Sequence, residues 1–189
     1  MAKYYKLTDE TITIDGVVLH RIECTATIPG KNIKVGDKGG FIEKEENLYG
    51  NAWVSGDAKV YGNAEVSGDA KVYGNAEVYG NAEVYDNAEV YGDAEVYGDA
   101  EVYGDAWVYG DAEVYGDAKV YGNADYIVFK NWWSSGRYFT WTRSNNMWKV
   151  GCFYSTGGEL IKKAYADSEQ SGREYERVVK YVQSILEEK

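Results

Sequence analysis

The sequence predicts a mainly β chain: a solenoid of short stacked strands, capped at its N-terminal end by a β-hairpin and at its C-terminal end by a small α+β region. Three observations carry this. A unit V-Y-G-[ND]-A-[EK] recurs every six residues, with Val in step from Val54 to Val120 and Ala from Ala52 to Ala124. Ala and Val stand two apart within each unit, which sends both side chains to one face of a strand while Glu or Lys and Tyr point to the other. Gly and then Asn or Asp follow, the residues that tolerate positive φ and make corners. A strand this short cannot bury its apolar face alone, so successive units must stack.

Taken in order, the chain divides into residues 1–41, a hairpin cap and lead-in; residues 42–125, the repeats; and residues 126–189, an aromatic-rich α+β end region with two helices. TITIDGVVLHRIECTA (11–26) reads as a hairpin turning at Asp15-Gly16, with Val18, His20, Ile22, Cys24 and Ala26 on one strand face. Ile42 and Leu48 occupy the Val place ahead of the regular repeats. After Asp125, YIVFKNWWSSGRYFTWTR (126–143) has the aromatic density of a hairpin around Ser134-Ser135-Gly136, and MWKVGCF (147–153) is a third strand. Thr156 to Glu159 and Ser171 to Glu174 each have the spacing of a capping box. In the second helix Tyr175, Val178, Val179, Val182, Ile185 and Leu186 form an amphipathic stripe.

Period six, with an aliphatic residue and a small residue two before it, resembles the hexapeptide repeat of left-handed parallel β-helices over about fourteen hexads. That resemblance implies three hexads to a triangular coil, about eighteen residues, stacked into a prism roughly 20 Å tall. It also implies a homo-oligomer, a trimer or a dimer. A pentapeptide solenoid would need period five, and an ice-binding helix would show outward rows of Thr. The lead-in GDKGGFIEKEENL (36–48) and the tail WKVGCFYSTGGELIKKA (148–164) are similar to those of a bacterial and phage family of hexapeptide-repeat proteins. Some members of that family are labelled transferases by fold analogy. The resemblance implies a phage or prophage origin.

Stacking at eighteen residues converts the sequence into outward ladders: Trp53, Lys71, Glu89, Trp107 and Asp125; Lys59, Glu77, Glu95 and Glu113; Glu65, Glu83, Glu101 and Lys119. Columns of Tyr run beside them, such as Tyr61, Tyr79, Tyr97 and Tyr115. Stacked rings pack favourably when offset. Stacked Glu carboxylates are expected to repel one another and to have raised pKa values.

The net charge of −11 is uneven: residues 45–125 carry 18 acidic and 3 basic side chains, a net −15, whereas residues 1–44 sum to +1 and residues 126–189 to +3. An acidic body repels nucleic acid and anionic lipid and attracts basic partners. No apolar stretch follows a basic start, so no signal peptide is expected, and no run approaches a membrane span. Cys24 and Cys152 are far apart in sequence and form no metal-spacing motif. A cytoplasmic protein with reduced thiols follows.

Acyl transfer, frequent among hexapeptide helices, needs a His base at a coil face and an insertion loop. The repeats have neither, and the single His20 falls on an apolar strand face where packing explains it. Stacked corner carboxylates, Asp93 over Asp111 and Asp99 over Asp117, could hold Ca²⁺, but Asn fills the same place at Asn75, Asn81 and Asn87, so turn chemistry accounts for it and no metal or other cofactor is expected. In the end region Trp132, Trp133, Trp141 and Trp148 stand near Lys130, Arg137 and Arg143. Trp132, Trp133, Trp141, Arg137 and Arg143 could stack a base and hold a phosphate, or the rings could simply cap the open end of the solenoid. Finally, near-identical units place the same groups everywhere, whereas catalysis needs unlike groups converging at one point. The expectation is therefore a non-enzymatic binding protein, a phage-type inhibitor of a host defence factor. Its acidic ladders Glu65, Glu77, Glu83, Glu95, Glu101 and Glu113 would meet a basic surface, with the repeat's departures Trp53, Trp107, Ser55, Ser67 and Asp86 as contact points. The alternatives are a nucleotide-binding or sequestering module using the end region, an acyltransferase-like enzyme, and a spacer oligomerised through its helices.

Overall fold

The computed structural model describes residues 3–187. Strands β1 (Tyr5–Ile14) and β2 (Val17–Cys24) form the hairpin, and β3 (Lys38–Ile42) begins the solenoid. Asp15 and Gly16 at its turn both have positive φ, 50° and 84°, the backbone a two-residue hairpin loop requires. The hairpin departs from the expected single buried face. Leu19 and Ile22 are both fully buried while Val18 is 47% exposed. The pairing of β2 is irregular on both sides at this point, with a register shift against β1 between Leu7 and Thr11 and another against β3 between Arg21 and Glu23.

Twelve short rungs, β4 to β15, run from Trp53–Val54 to Lys119–Val120 at the six-residue interval. All but the last three pair in parallel with the rung eighteen residues on, as Glu77 with Glu95 and Val78 with Val96, and about four turns result. Three sheets make three faces. One, the hairpin face, has Lys59, Glu77, Glu95 and Glu113 on its outside and continues through β3 into the hairpin. The Glu65 face carries Glu65, Glu83, Glu101 and Lys119. The Trp107 face carries Trp53, Lys71, Glu89 and Trp107. Every Val from Val54 to Val120 and every Ala from Ala58 to Ala118 has no exposed surface, as the two-residue spacing demands.

Corners stack as closely as rungs. The corner glycines from Gly50 to Gly116 have positive φ, Asp86 alone replacing one. At Gly80 a Cβ would lie 3.0 Å from the backbone N of Gly98, one coil on. Glycine is thus required here twice over, for its φ and for the close approach of the next coil.

Beyond Val120 the chain leaves the coil, so Asp125 does not extend its ladder; its carboxylate instead accepts from the backbone N–H groups of Tyr121 and Gly122, at 3.0 and 2.9 Å. Four antiparallel strands follow, β16 (Tyr126–Lys130), β17 (Tyr138–Thr142), β18 (Met147–Val150) and β19 (Phe153–Thr156), then helices α1 (Gly157–Asp167) and α2 (Glu169–Glu187). Thr156 caps α1 as expected, accepting from the Glu159 N–H. The second capping box is not used: α2 starts earlier, and the hydroxyl of Ser168 accepts from the Ser171 N–H at 3.0 Å, leaving Ser171 and Glu174 inside the helix. A separate core of Phe139, Trp141, Trp148, Leu160, Val179 and Val182 joins sheet to helices.

The end region closes the last coil with side-chain oxygens. Trp107 N–H donates to Asn123 Oδ1 (2.8 Å), Glu113 N–H to Thr140 Oγ1 (2.9 Å) and Lys119 N–H to Ser144 Oγ (2.7 Å), and Tyr126 OH donates to the Trp107 carbonyl (2.9 Å). These groups have no further coil to pair with, and an unpaired buried backbone group costs stability. At the opposite end donors do the work: Arg21 Nη1 reaches the Gly39 carbonyl at 2.8 Å, and Tyr5 OH the Glu45 carbonyl at 2.8 Å.

Candidate binding surface

The outward ladders follow the predicted register, but their carboxylates are not bare. On the hairpin face Lys59 pairs with Glu77 (2.8 Å), and tyrosines donate diagonally across coils: Tyr61 to Glu77 (3.2 Å), Tyr79 to Glu95 (2.9 Å) and Tyr97 to Glu113 (3.1 Å). On the Trp107 face Lys71 and Tyr73 both hold Glu89, at 2.8 and 2.9 Å. On the Glu65 face Lys119 and Tyr85 hold Glu101, at 2.6 and 3.1 Å. Each diagonal joins a Tyr to the Glu sixteen residues later. Since Tyr and Glu occupy neighbouring outward columns, the eighteen-residue coil makes that partner geometrically necessary, a signal the ladder reading overlooked.

The expected rise of stacked Glu pKa values is therefore corrected at two positions. Burial pushes the Glu89 carboxyl up, but the bonds from Lys71 and Tyr73 outweigh it and hold it below the usual range. At Glu101 the Lys119 ammonium is the main cause of a lowered value. Glu113 is raised, because burial exceeds the help it receives from Lys149 and Tyr97. The phenols bear the complementary cost. Burial first, then the bond to Glu101, pushes Tyr85 up to about 12, and Tyr61, Tyr73, Tyr79 and Tyr97 rise further for the same two reasons. Their rings stack as expected, with Tyr79 and Tyr97 centroids 4.7 Å apart.

Glu65 and Glu83 differ from the rest: both are exposed and, among the described residues, neither carboxylate has a hydrogen-bond or ion-pair partner. Two corner columns flank them, in which Asn donates to Asp one coil on: Asn81 to Asp99 (2.9 Å) on one side and Asn87 to Asp105 (3.0 Å) on the other; Asn75 to Asp93 (2.9 Å) repeats the pattern at the third corner. Asn145 of the end region extends one such column by donating to Asp117 at 2.9 Å. Among the described residues no three His, Cys, Asp or Glu side chains gather as metal ligands.

Of the departures from the repeat, Trp107 is 47% exposed, whereas Trp53 is only 5% exposed and belongs to the solenoid core cluster. The segment containing Lys31, Asn32 and Ile33 lies beside Trp53, so Trp53 is not the open contact point expected. Asp86 occupies a glycine position at φ 60°, its carboxylate accepting from the Gly104 N–H at 3.2 Å. Ser55 and Ser67 are half-buried.

The aromatic end region does not form a base-stacking platform from its expected members. Trp141 and Trp148 face each other across β17 and β18 and are each 1% exposed, because α1 and α2 cover that sheet face. Trp141 Nε1 is spent on Asn146 Oδ1 at 2.8 Å. Trp133 is half-buried with its ring edge-on to Tyr175, centroids 4.9 Å apart. Trp132 alone is open, at 73%. Arg143 is half-buried, and its backbone N–H donates to the Asp125 carbonyl at 2.7 Å. Arg137 is exposed and, with Lys163 and Cys152, lines a cleft of about 250 Å³ between the sheet and the helices. His20 Nδ1 lies 3.1 Å from the Thr8 carbonyl oxygen inside the hairpin. No helix among the described residues is long and apolar enough to cross a membrane. A scan against protein-family models finds no match to this sequence, and a search of curated proteins finds none either.

Proposed function

We propose that the chain is a non-enzymatic binding protein whose acidic solenoid engages a basic surface of another protein. In keeping with the resemblance of its lead-in and tail, that partner is a host factor, such as a defence nuclease, met in the host cytoplasm. The observation that carries this reading is the concentration of a net −15 on residues 45–125, displayed on a rigid prism with Glu65 and Glu83 unneutralised. Carboxylates repeated at one coil spacing, about 4.8 Å, present a regular row to any cationic groove, and long-range attraction of this kind raises association rates and selects oppositely charged partners. Groups already bound to Lys or Tyr, such as Glu89 and Glu101, contribute less free charge than Glu65 and Glu83.

The test is capture from a bacterial lysate with the wild-type chain and with Glu65→Lys combined with Glu83→Lys. A protein held by the first and lost by the second supports the reading; equal capture by both contradicts it. The Arg137 and Lys163 cleft favours a second reading, nucleotide binding at the end region. Under that reading Arg137→Ala combined with Lys163→Ala abolishes nucleotide binding, and the solenoid variant leaves it intact.

A further inference from the structure

The Trp107 face differs from the other two. Its ladder holds one Lys and one Glu, while each other face holds three Glu and one Lys. A chain of net charge −11 repels its own copies, so self-association is least opposed on this face. Here also the solenoid exposes aromatic surface, with Trp107 47% and Tyr109 49% exposed. Exposed Trp stands where most repeats carry Glu or Lys, at a position whose side chain the fold does not need.

The order along the ladder is Trp53, Lys71, Glu89, Trp107, evenly spaced one coil apart. This order is self-complementary. A two-fold axis lying in the plane of the interface, at right angles to the coil axis and passing between Lys71 and Glu89, lays Lys71 against Glu89 of the partner subunit and Glu89 against the partner's Lys71. The same axis lays Trp107 over the partner's Trp53. At that end of the face there is a hollow of about 260 Å³ walled by Lys31, Ile33, Trp53, Ser55, Lys71 and Tyr73. Its apolar floor and two ammonium groups suit an indole, which packs on apolar walls and draws cations to its ring face. Trp is also the residue type that most often anchors an interface.

We propose that the Trp107 face is an isologous interface between two copies of this chain, with their coil axes antiparallel, Trp107 of each seated in the partner's hollow, and a four-membered Lys71 and Glu89 network at the centre. The two-fold arrangement repeats the same contacts on both sides, so one substitution acts twice. A face only four rungs tall is small for an interface, and the dimer forms in the micromolar range rather than the nanomolar.

Sedimentation of the full chain, from about 1 μM to about 1 mM, tests this. The wild type shifts from monomer to dimer across the range. Trp107→Glu, which restores a repeat residue, stays monomeric, as does Lys71→Glu, which sets like charges against each other. Combining Lys71→Glu with Glu89→Lys exchanges the charges and returns the dimer. Circular dichroism establishes that each variant retains its strands. A wild type monomeric throughout, a trimer, a dimer indifferent to Trp107→Glu, or a double variant that remains monomeric would each overturn the proposal.

Discussion

Glu89 gives up its proton more readily than a free glutamate, because Lys71 and Tyr73 both donate to it. Tyr73 retains its proton more tightly, because burial and that same carboxylate oppose the phenolate. This exchange fixes the sign of the pH dependence at both ends of the scale. Phenols with raised folded values keep protons that the unfolded chain releases near its ordinary value of about 10. Their stabilisation is complete below that pH and is lost as pH rises toward and through the folded values, about 12 for Tyr85. The urea midpoint is thus expected to fall above pH of about 10, and a fraction of tyrosinate absorbance should appear only with unfolding; full ionisation before unfolding contradicts the Tyr–Glu diagonals. Glu89 and Glu101, whose folded values are lowered, stabilise the chain above the usual carboxylate range and lose this as pH falls through it, while Glu113, with a raised value, acts in the opposite sense. Removing one diagonal, Tyr79→Phe, is expected to cost about 1 kcal/mol by urea denaturation.

At the scale of the rung and the corner, inward and outward positions respond oppositely. Val84 has no exposed surface and Glu83 is exposed. Val84→Asp should cost about 4 kcal/mol or more and Glu83→Lys almost nothing, measured by the same denaturation; equal losses contradict the register. At the corner, Gly80→Ala must hold a Cβ at φ +75°, 3.0 Å from the backbone N of Gly98, and is expected to cost about 2 kcal/mol. At the open end, Thr140→Val leaves the Glu113 N–H without its acceptor, at about 2 kcal/mol. The rungs were legible in the sequence because the pattern is binary: Ala and Val two apart can only face inward. The diagonals were legible too but emerge only when the alternation is combined with the eighteen-residue coil, Tyr and the Glu sixteen residues later then being neighbours. The capping oxygens of Asn123, Thr140 and Ser144 were not legible, because they come from irregular segments whose path no periodicity specifies. Trp53 misled for a related reason: its ladder place is outward, and only the path of the non-repeating segment around Ile33 reveals that it is covered.

For the whole molecule, charge and shape are set by the same repetition. Every coil adds acidic groups to the outside and six small apolar residues, three Ala and three Val, to the inside, so lengthening the prism extends a charged surface without enlarging its cross-section. Lysines interrupt the ladders near their ends, at Lys59, Lys71 and Lys119, and each is paired with a Glu one coil away. That leaves the Glu65 and Glu83 stretch as the most open carboxylate row, and it is there that a basic partner is expected to bind. The most direct measurement is the affinity for the captured partner as a function of salt, for the wild type and for Glu65→Lys combined with Glu83→Lys. Docking through this row predicts an affinity that falls steeply with added salt and a variant that binds far more weakly with the strands intact. Wild-type binding indifferent to salt, or a variant that binds as tightly, would contradict it.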